Sequence, residues 1–208
     1  MASRLRQVDI LLCPFWATWN SSACERVLRA IAAQHSIGWR LRLVDGTFGA
    51  AEEMARSLIP ADRLEYDLPL VRGVQQGTLY WQAMMSSRAR YVAYADARAS
   101  TALLWRSDHL FILADLIGRG RADFVFSGPA SFGCDPDSIA SIVAQREIVP
   151  LGTVMHRSDV YARLDRGWDR FAPGDTEHKV WREMAMLRRP PIRMYHFAMQ
   201  TAARPVLA

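Results

Sequence analysis

The sequence predicts an α/β fold in which a mostly parallel, twisted sheet carries helices on both faces. Short apolar runs alternate with longer segments whose apolar residues recur about every three or four positions, a pattern typical of parallel sheets with helical crossovers. The first run, from Val8 to Phe15, is almost continuously apolar, as expected for a strand covered on both faces. No repeat, linker or change in composition divides the 208 residues, so we expect one domain over residues 1–208.

The same patterns assign the elements in chain order. Ser22 and Glu25 have the spacing of a capping box that starts the first helix, and Gly38 follows the end of that helix. Pro60 stops the second helix because proline has no backbone N–H to donate. The predicted strands are Val8–Phe15, Arg40–Val44, a short extended stretch over Leu64–Leu70, Arg90–Asp96 and Asp123–Ser127. The predicted helices are Ser22–His35, Ala51–Leu58, Val74–Ser87, Leu103–Gly118 and Asp137–Ala144.

The charge of the chain narrows the class of partners only a little. A net charge of +5 and a pI near 9.5 suit acidic partners such as nucleotide phosphates, anionic lipid headgroups or nucleic acid. The arginines are scattered, and Arg188, Arg189 and Arg193 form the one local cluster. A nucleic-acid partner therefore has little support from the sequence and would require a basic face on the folded protein.

The sequence indicates a cytoplasmic location. No stretch of about eighteen apolar residues is present, so no transmembrane segment is expected. Asp9 interrupts the short apolar run near the N-terminus, which predicts a first strand rather than a signal peptide. Cys13, Cys24 and Cys134 share no spacing typical of a disulfide framework or a metal site, which fits a reducing compartment.

Two aspartates follow predicted strands directly. Asp45 comes after Arg40–Val44, and Asp96 ends the strand that starts at Arg90. Ligands of open parallel sheets bind beyond the carboxyl ends of the strands, so both side chains are expected in one crevice. A carboxylate there can accept hydrogen bonds from a base or ribose, or hold a divalent cation against phosphates. Each aspartate taken alone also fits a turn-starting residue.

A series of short motifs follows the predicted strands in a fixed order. They are Pro14 and Asn20, then Gln34, Val44-Asp45-Gly46-Thr47, a Gly73-bearing helix followed by Asp96-Ala97-Arg98, and finally His156–Asp159, Gly167-Trp168-Asp169 and Asp175-Thr176-Glu177. In this order they resemble the nucleotide-sugar-dependent glycosyltransferases of the GT-A fold, most nearly the family-2 type. The resemblance covers roughly residues 8–185 and rests on the ordered set, because each motif is short. It implies a single Rossmann-like GT-A domain that moves a sugar from a nucleoside diphosphate sugar to a hydroxyl acceptor.

Carried over by position, the resemblance implies a nucleotide-sugar site near the first strands. Pro14 and Asn20 would border the nucleotide, and Asp45 would bind the base, usually uracil or guanine, of a UDP- or GDP-sugar. Asp96 takes the place of the first acid of the D-x-D signature, near the ribose and the metal. Arg98 stands where the family has the second acid, and as a fixed charge with several donors it can neutralise the diphosphate itself.

The cofactor that the resemblance implies is a divalent cation, Mn²⁺ or Mg²⁺. The second acid of the signature usually does most of the metal binding, so Arg98 puts an ordinary metal site in doubt. Asp96 would then need a ligand from elsewhere. Some GT-A enzymes place a late histidine on the metal, and His196 follows a predicted edge strand, although it also fits a structural histidine.

The acceptor hydroxyl must lose its proton as it attacks the sugar. In inverting members of the family, a carboxylate at the start of a late helix takes this proton, and Asp175 and Glu177 match that position. Asp175 equally fits an N-cap, and the match to the family's acidic pair favours Glu177 as the base. Trp168 matches the turn that contacts the acceptor. Other tryptophans can also stack on a sugar or a base, although most of them are expected in the core; they include Trp16, Trp19, Trp81, Trp105 and Trp181.

Charge also builds on the leaving diphosphate, and Arg157 and Arg182 are further arginines that can stabilise it.

Two alternatives share the predicted fold. A sugar nucleotidyltransferase usually carries a glycine-rich phosphate loop, and Pro14–Ser22 contains no glycine. A non-catalytic relative that binds a nucleotide or a partner protein is compatible with the Arg98 departure. The length leaves little room for an acceptor domain, so the acceptor is expected to be macromolecular or supplied by a partner.

Overall fold

The computed structural model describes residues 8–69, 76–98, 104–120, 122–128, 149–161, 176–186, 192–197 and 202–203. Its strands are β1 (Val8–Leu12), β2 (Trp39–Val44), β3 (Leu64–Asp67), β4 (Tyr91–Ala95), β5 (Leu104–Trp105), β6 (Phe124–Ser127), β7 (Val154–Arg157), β8 (Met194–Phe197) and β9 (Ala202–Ala203). Its helices are α1 (Ser21–Ala32), α2 (Ala50–Leu58), α3 (Gln76–Met85), α4 (His109–Gly118), α5 (Ser158–Tyr161) and α6 (Thr176–Met186). Short 3₁₀ helices lie at Trp16–Thr18, Ala61–Arg63 and Leu151–Thr153. Within these ranges no helix combines the length and apolar character needed to cross a membrane. The predicted helix Asp137–Ala144 lies outside them.

Seven strands form one sheet in the order β3-β2-β1-β4-β7-β6-β8, and β5 pairs with β9 apart from it. Parallel pairs join β1 to β2 and to β4, β2 to β3, and β6 to β8. Among the described strands of this sheet, β7 alone runs antiparallel to its neighbours, β4 and β6. The predicted mostly parallel sheet is therefore confirmed. β7 is not recognisable from the sequence, because Val154–Arg157 ends in two polar residues and contains no long apolar run.

Helices cover both faces of the sheet. On one face, Ile10 and Leu12 of β1 pack in a core with residues of α1, α2 and α4. On the other face, Leu11 packs in a second core with Leu79 of α3 and Trp181 of α6. Alternate residues of a strand point to opposite faces, so a strand between two helical layers is expected to be apolar at every position. The exception is a polar residue that has a hydrogen-bonding partner in the interior.

Asp9 is the polar residue in β1, and it is fully buried. Arg40, its neighbour across the β1–β2 ladder, donates from Nε to Oδ1 at 3.1 Å and from Nη2 to Oδ2 at 3.0 Å. The Ser87 hydroxyl donates to Oδ2 at 2.7 Å. A buried carboxylate is tolerated when it is paired and hydrogen-bonded in this way.

The start of the first helix differs from the prediction. α1 begins at Ser21, and its N-cap is Asn20, whose Oδ1 accepts a hydrogen bond from the backbone N–H of Ala23 at 2.8 Å. The predicted capping box of Ser22 and Glu25 is therefore wrong, because Ser22 already lies inside the first turn. Asn20 caps as well as serine does, so the sequence alone offers two equivalent starts.

The predicted helix Leu103–Gly118 is also wrong at its N-terminal end, where β5 precedes α4. Gln34, just beyond α1, holds this connection with its side-chain amide. Its Nε2 donates to the carbonyl of Arg106 at 2.6 Å, and its Oε1 accepts from the backbone N–H of Leu110 at 3.1 Å. These tertiary bonds fix the chain before α4, so the helix starts only at His109.

Candidate functional site

The carboxyl ends of β2, β1 and β4 lie side by side at one edge of the sheet, because these neighbouring strands are parallel. Asp45 directly follows β2, Asp96 directly follows β4, and Pro14 lies just beyond β1 between them. From β1 the chain passes outward to β2 and β3, and it returns to β4 on the other side of β1. This reversal between β1 and β4 is the switch point at which open α/β sheets bind ligands.

Asp96 and Arg98 form a buried ion pair at this switch point. The Asp96 residue is 2% exposed, and the Arg98 side chain is 19% exposed. Arg98 donates from Nε to both carboxylate oxygens, at 2.9 and 3.0 Å, and from Nη2 to Oδ2 at 2.7 Å. The backbone N–H of Arg98 adds a bond to Oδ1 at 3.0 Å. Asp96 and Arg98, the first and last residues of the altered D-x-D signature, therefore hold each other in a fixed orientation.

A narrow recess opens beside this ion pair. It encloses about 10 Å³, the space of about one water molecule. The hydroxyl of Tyr80 in α3 donates to the carbonyl of Ala95 at 2.9 Å and so fixes the end of β4. The lining residues are Pro14, Phe15, Thr18, Trp19, Ala97 and Arg98. The sequence analysis does not single out Phe15, Thr18 or Ala97 as site residues, because only the strand order shows that the segments after β1 and β4 face each other.

Asp45 is turned toward its own loop and the start of α2. Its Oδ1 accepts from the backbone N–H and the hydroxyl of Thr47, at 2.6 and 2.5 Å. Its Oδ2 accepts from the backbone N–H groups of Gly49 and Glu52, at 3.1 and 3.2 Å. A carboxylate offers about four acceptor positions, and four donors already use them here. This geometry is that of a turn-and-cap residue, and the predicted contact of Asp45 with a base stays a prediction.

Gly46 joins the loop after β2 to the segment after β1. Its N–H donates to the carbonyl of Pro14 at 3.0 Å, and its own carbonyl accepts from the N–H of Trp16 at 3.2 Å. A Cβ on residue 46 would lie 2.9 Å from the Pro14 oxygen, closer than real Cβ atoms come. Glycine is required here by the neighbouring backbone, whereas the sequence suggested room for a ligand.

Two aromatic side chains near this edge are exposed. Trp16, which bonds to the Gly46 carbonyl, is 60% exposed, so it is not one of the tryptophans of the core. Phe48 is 85% exposed and has a φ of 61°, in the left-handed region that bulky residues rarely adopt. Trp19 is half-buried and lines the recess. The edge that carries the Asp96–Arg98 pair therefore also presents exposed aromatic rings.

The arginine-bearing segment at the start of α5 does not belong to this edge. Arg157 ends β7, which runs antiparallel to β4, and it lies opposite Tyr91, the first residue of β4. Five residues of extended chain separate Tyr91 from Asp96, roughly 16 Å. The prediction that Arg157 can stabilise a diphosphate beside Asp96 is therefore wrong, because β7 was not foreseen. Arg157 instead pairs with Asp159, Nε to Oδ1 at 3.0 Å.

The predicted metal ligands are not brought together by the described backbone. His196 lies in β8, three strands from β4 in the sheet order, which is roughly 14 Å across the strands. Its side chain is outside the described atoms. Among the described residues, no group of three or more His, Cys, Asp or Glu side chains is arranged to hold a metal ion. The role of His196 as a metal ligand stays a prediction.

The predicted base lies on a helix that packs against β4. Glu177 is the second residue of α6, and its side chain is outside the described atoms, as are Asp175 and Trp168. One turn further along α6, the Trp181 ring packs edge-on against Tyr94, with ring centroids 5.4 Å apart. Tyr94 is two residues before Asp96. The catalytic and acceptor roles of these residues stay predictions.

The described cysteines are poor nucleophiles. Burial raises the pKa of the Cys24 thiol to about 12, and the negative charge of Asp45 adds to this shift. Burial also raises the pKa of Cys13, well above its usual range. Both thiols are therefore protonated at neutral pH, and neither offers a thiolate for covalent chemistry.

Comparisons of the sequence with protein-family models and with curated proteins find no match. Solved structures do match. TarS 1–349 of S. aureus superposes with a TM-score of 0.68 at 13% identity, over 94% of this chain and 59% of that one. The same fragment, solved in complex with UDP-GlcNAc, gives a TM-score of 0.68 at 11% identity, over 94% of this chain and 57% of that one.

A second enzyme matches over more of its own length. Glucosyl-3-phosphoglycerate synthase from Mycobacterium tuberculosis, in complex with Mn²⁺, UDP and glucosyl-3-phosphoglycerate, gives a TM-score of 0.63 at 14% identity. The match covers 98% of this chain and 73% of that one. This chain thus spans a little over half of TarS 1–349, and at these identities the likeness is one of fold. The chain has the GT-A fold that its ordered motifs resemble.

Proposed function

We propose that this chain is a glycosyltransferase that moves a sugar from a nucleoside diphosphate sugar to a hydroxyl acceptor. The observation that carries the proposal is the buried Asp96–Arg98 pair beside a recess at the β1–β4 switch point. A guanidinium fixed at such a place suits a phosphate ligand, because its donors are oriented before the ligand arrives. The matched structures that contain UDP, UDP-GlcNAc or UDP-glucose support a uridine nucleotide as the first candidate donor.

The donor would lie across the edge of the sheet. A recess of about 10 Å³ cannot hold a nucleotide, so the ligand would extend from it over the segments that follow β1 and β4. Pro14 lines this recess and would border the nucleotide. Asn20 caps α1 one residue beyond Trp19, and we expect its side chain to border the nucleotide as well. Trp16 offers a flat exposed ring on which a base can stack.

The reaction forms one bond at the anomeric carbon of the sugar and breaks another. The acceptor oxygen attacks that carbon while a base takes the hydroxyl proton, and the bond to the nucleoside diphosphate breaks with its electron pair on the leaving oxygen. We assign the base to Glu177, with Asp175 as the alternative. Charge that builds on the leaving diphosphate would be stabilised by the Arg98 guanidinium, which Asp96 holds in a fixed orientation.

Binding of candidate donors tests this proposal. We expect UDP-, GDP- or TDP-sugars to raise the thermal unfolding temperature of the protein, and one of them to be slowly hydrolysed. Asp96→Ala should abolish the effect, because it leaves Arg98 without its partner at the switch point. Asp115→Ala serves as the matched control, since Asp115 forms an exposed ion pair with Arg119 on α4. The proposal fails if no sugar nucleotide shifts the unfolding temperature, with or without added Mn²⁺.

A second candidate is a nucleotide-binding relative without transferase activity. The observation that favours it is Arg98 itself, which replaces an acid of the signature and neutralises Asp96. It would bind a nucleotide at the same edge but would not hydrolyse a sugar donor or glycosylate any acceptor. A macromolecular acceptor also stays a proposal, as does the cytoplasmic location.

A further inference from the structure

We propose that this site binds the donor diphosphate without a divalent cation, because Arg98 occupies the face of Asp96 that a cation would need. The inference rests on the proposed function, since it concerns the same donor at the same edge. The likeness in fold does not show which group neutralises the charge of the phosphates, and we assign this task to Arg98.

The contacts of Asp96 carry the argument. Its Oδ1 accepts from Nε and from the backbone N–H of Arg98, and its Oδ2 accepts from Nε and Nη2. Each carboxylate oxygen thus accepts two hydrogen bonds from Arg98. Ion pairs of this two-pronged kind are among the strongest hydrogen-bonded contacts in proteins.

The pair is also well shielded from water. With the Asp96 residue 2% exposed, the carboxylate cannot exchange its partner for solvent, and removing Arg98 would leave a buried charge. A divalent cation binds carboxylate oxygens directly, at about 2.0 to 2.6 Å depending on the metal. To do so at Asp96, it would have to displace a guanidinium or sit beside it, where two positive charges repel each other at low dielectric.

The rest of the donor set does not replace the missing acid. Position 97 is an alanine, and the described residues contain no group of three or more possible metal ligands. His196, the predicted helper, lies three strands away along the sheet. The residues described here therefore do not fit the metal site of the D-x-D signature.

Arg98 can take over the electrostatic part of the cation's task. Its guanidinium stays charged at every accessible pH, and its side chain lines the recess together with Pro14 and Trp19. The pair holds that guanidinium in one orientation, so little entropy is lost when a phosphate contacts it. The sequence departure at position 98 and the buried geometry thus have one explanation.

Isothermal titration of the intact chain with UDP, GDP and TDP tests the inference. Each nucleotide is titrated once in EDTA and once in excess Mn²⁺. We expect at least one nucleotide to bind in EDTA, with dissociation constants in the two buffers that agree within about threefold. Binding seen only with Mn²⁺, or tightened by it about tenfold or more, would overturn the inference and leave the proposed function standing. Absence of binding in both buffers would overturn the proposed function and this inference with it.

Two variants of residue 98 separate charge from geometry. Arg98→Lys keeps the charge but loses the two-pronged contact, and it should weaken binding in EDTA about tenfold. Arg98→Asp restores the second acid of the signature, and it should make binding depend on Mn²⁺. Arg119→Lys, at an exposed ion pair on α4, is the control and should bind like the parent chain. Parent-like binding in EDTA by Arg98→Lys and Arg98→Asp, both shown by circular dichroism to be folded, would contradict the role assigned to Arg98.

Discussion

His156 lies in β7 with its ring fully buried, and this burial makes the stability of the fold depend on pH. The ring stacks on Phe124 at an interplanar angle of 2°, and both of its nitrogens have partners. Nδ1 lies 2.7 Å from the carbonyl oxygen of Arg157, and Nε2 lies 2.7 Å from the hydroxyl of Tyr94. A carbonyl only accepts, so Nδ1 carries the proton and Nε2 accepts from Tyr94. This network satisfies the neutral imidazole, and burial lowers the pKa of His156 from 6.5 to about 4.

The sign and size of the effect follow from proton linkage. Between the two pKa values the unfolded chain binds a proton at this residue that the folded chain does not, so the free energy of unfolding falls as the pH falls. Between about pH 7.5 and about pH 5.5, the loss is about 1 kcal/mol from this residue alone. Below the folded-state pKa of about 4 it reaches about 3 kcal/mol. For a domain of 208 residues, the first loss corresponds to a drop of about 4 °C in unfolding temperature.

Urea unfolding at several pH values, followed by tryptophan fluorescence, measures this slope. The variant His156→Gln keeps an amide donor and acceptor but cannot titrate, so the difference between the two chains isolates His156 from other buried groups such as His109. We expect the parent chain to lose about 1 kcal/mol more than the variant over the upper pH interval. Equal slopes for the two proteins would refute the reasoning, because they would show that His156 titrates alike in the folded and unfolded states.

Three further substitutions test the loops at the site. Asp45→Ala should lower the free energy of unfolding by about 2 kcal/mol in urea titrations. The substitution removes the acceptor of four hydrogen bonds, one of which comes from the first turn of α2. Stability equal to that of the parent chain would contradict the capping role. Phe48→Asn should raise it by about 1 kcal/mol, because asparagine tolerates the φ of 61° better than an exposed phenylalanine does; a loss of stability would mean that the ring makes a contact that matters. Trp16→Ala should change the free energy of unfolding by less than about 0.5 kcal/mol, and it should weaken nucleotide binding about tenfold in calorimetry. Phe111→Ala on α4 is the exposed aromatic control. Equal nucleotide affinities for these two variants would exclude stacking on Trp16.

The position of Asp96 was predictable because the sequence alternates strands with helices. That alternation places the carboxyl ends of parallel strands at one edge, and Asp96 directly follows an unbroken apolar run. The identity of its partner was visible too, as Arg98 in place of an acid. What the sequence lacked was the geometry: whether Arg98 points to the ligand, to solvent or back to Asp96 depends on how tightly the turn after β4 folds.

Other parts of the site required the strand order. β7 is inserted between β4 and β6, and its antiparallel direction carries Arg157 to the far edge of the sheet. No local pattern encodes this, because strand order depends on tertiary packing rather than on residue spacing. The recess between the segments after β1 and β4 was hidden for the same reason.

Local competition explains the remaining differences. The sequence predicts that Asp45 faces a ligand. In the folded chain, its carboxylate instead accepts four hydrogen bonds from its own loop and from the start of α2. Asn20 and Ser22 both suit an N-cap, and in the folded chain it is Asn20 that accepts from the N–H of Ala23. For Asp45 and for the start of α1, the sequence shows which polar side chains are available. Which backbone N–H groups these side chains bind depends on the local fold.

Fluorine NMR of the protein labelled with fluorotryptophan reports where a nucleotide binds. The chain has seven tryptophans. Trp19 lines the recess with Arg98, and Trp16 bonds to the loop after β2 at the same edge. Trp39 starts β2 at the opposite edge, and Trp181 is buried beneath the sheet. With resonances assigned from single Trp→Phe variants, we expect UDP to shift the signals of Trp16 and Trp19 and to leave those of Trp39 and Trp181 in place. Saturating shifts confined to Trp39 or Trp181, or no shift at any tryptophan, would contradict a nucleotide site at the β1–β4 edge.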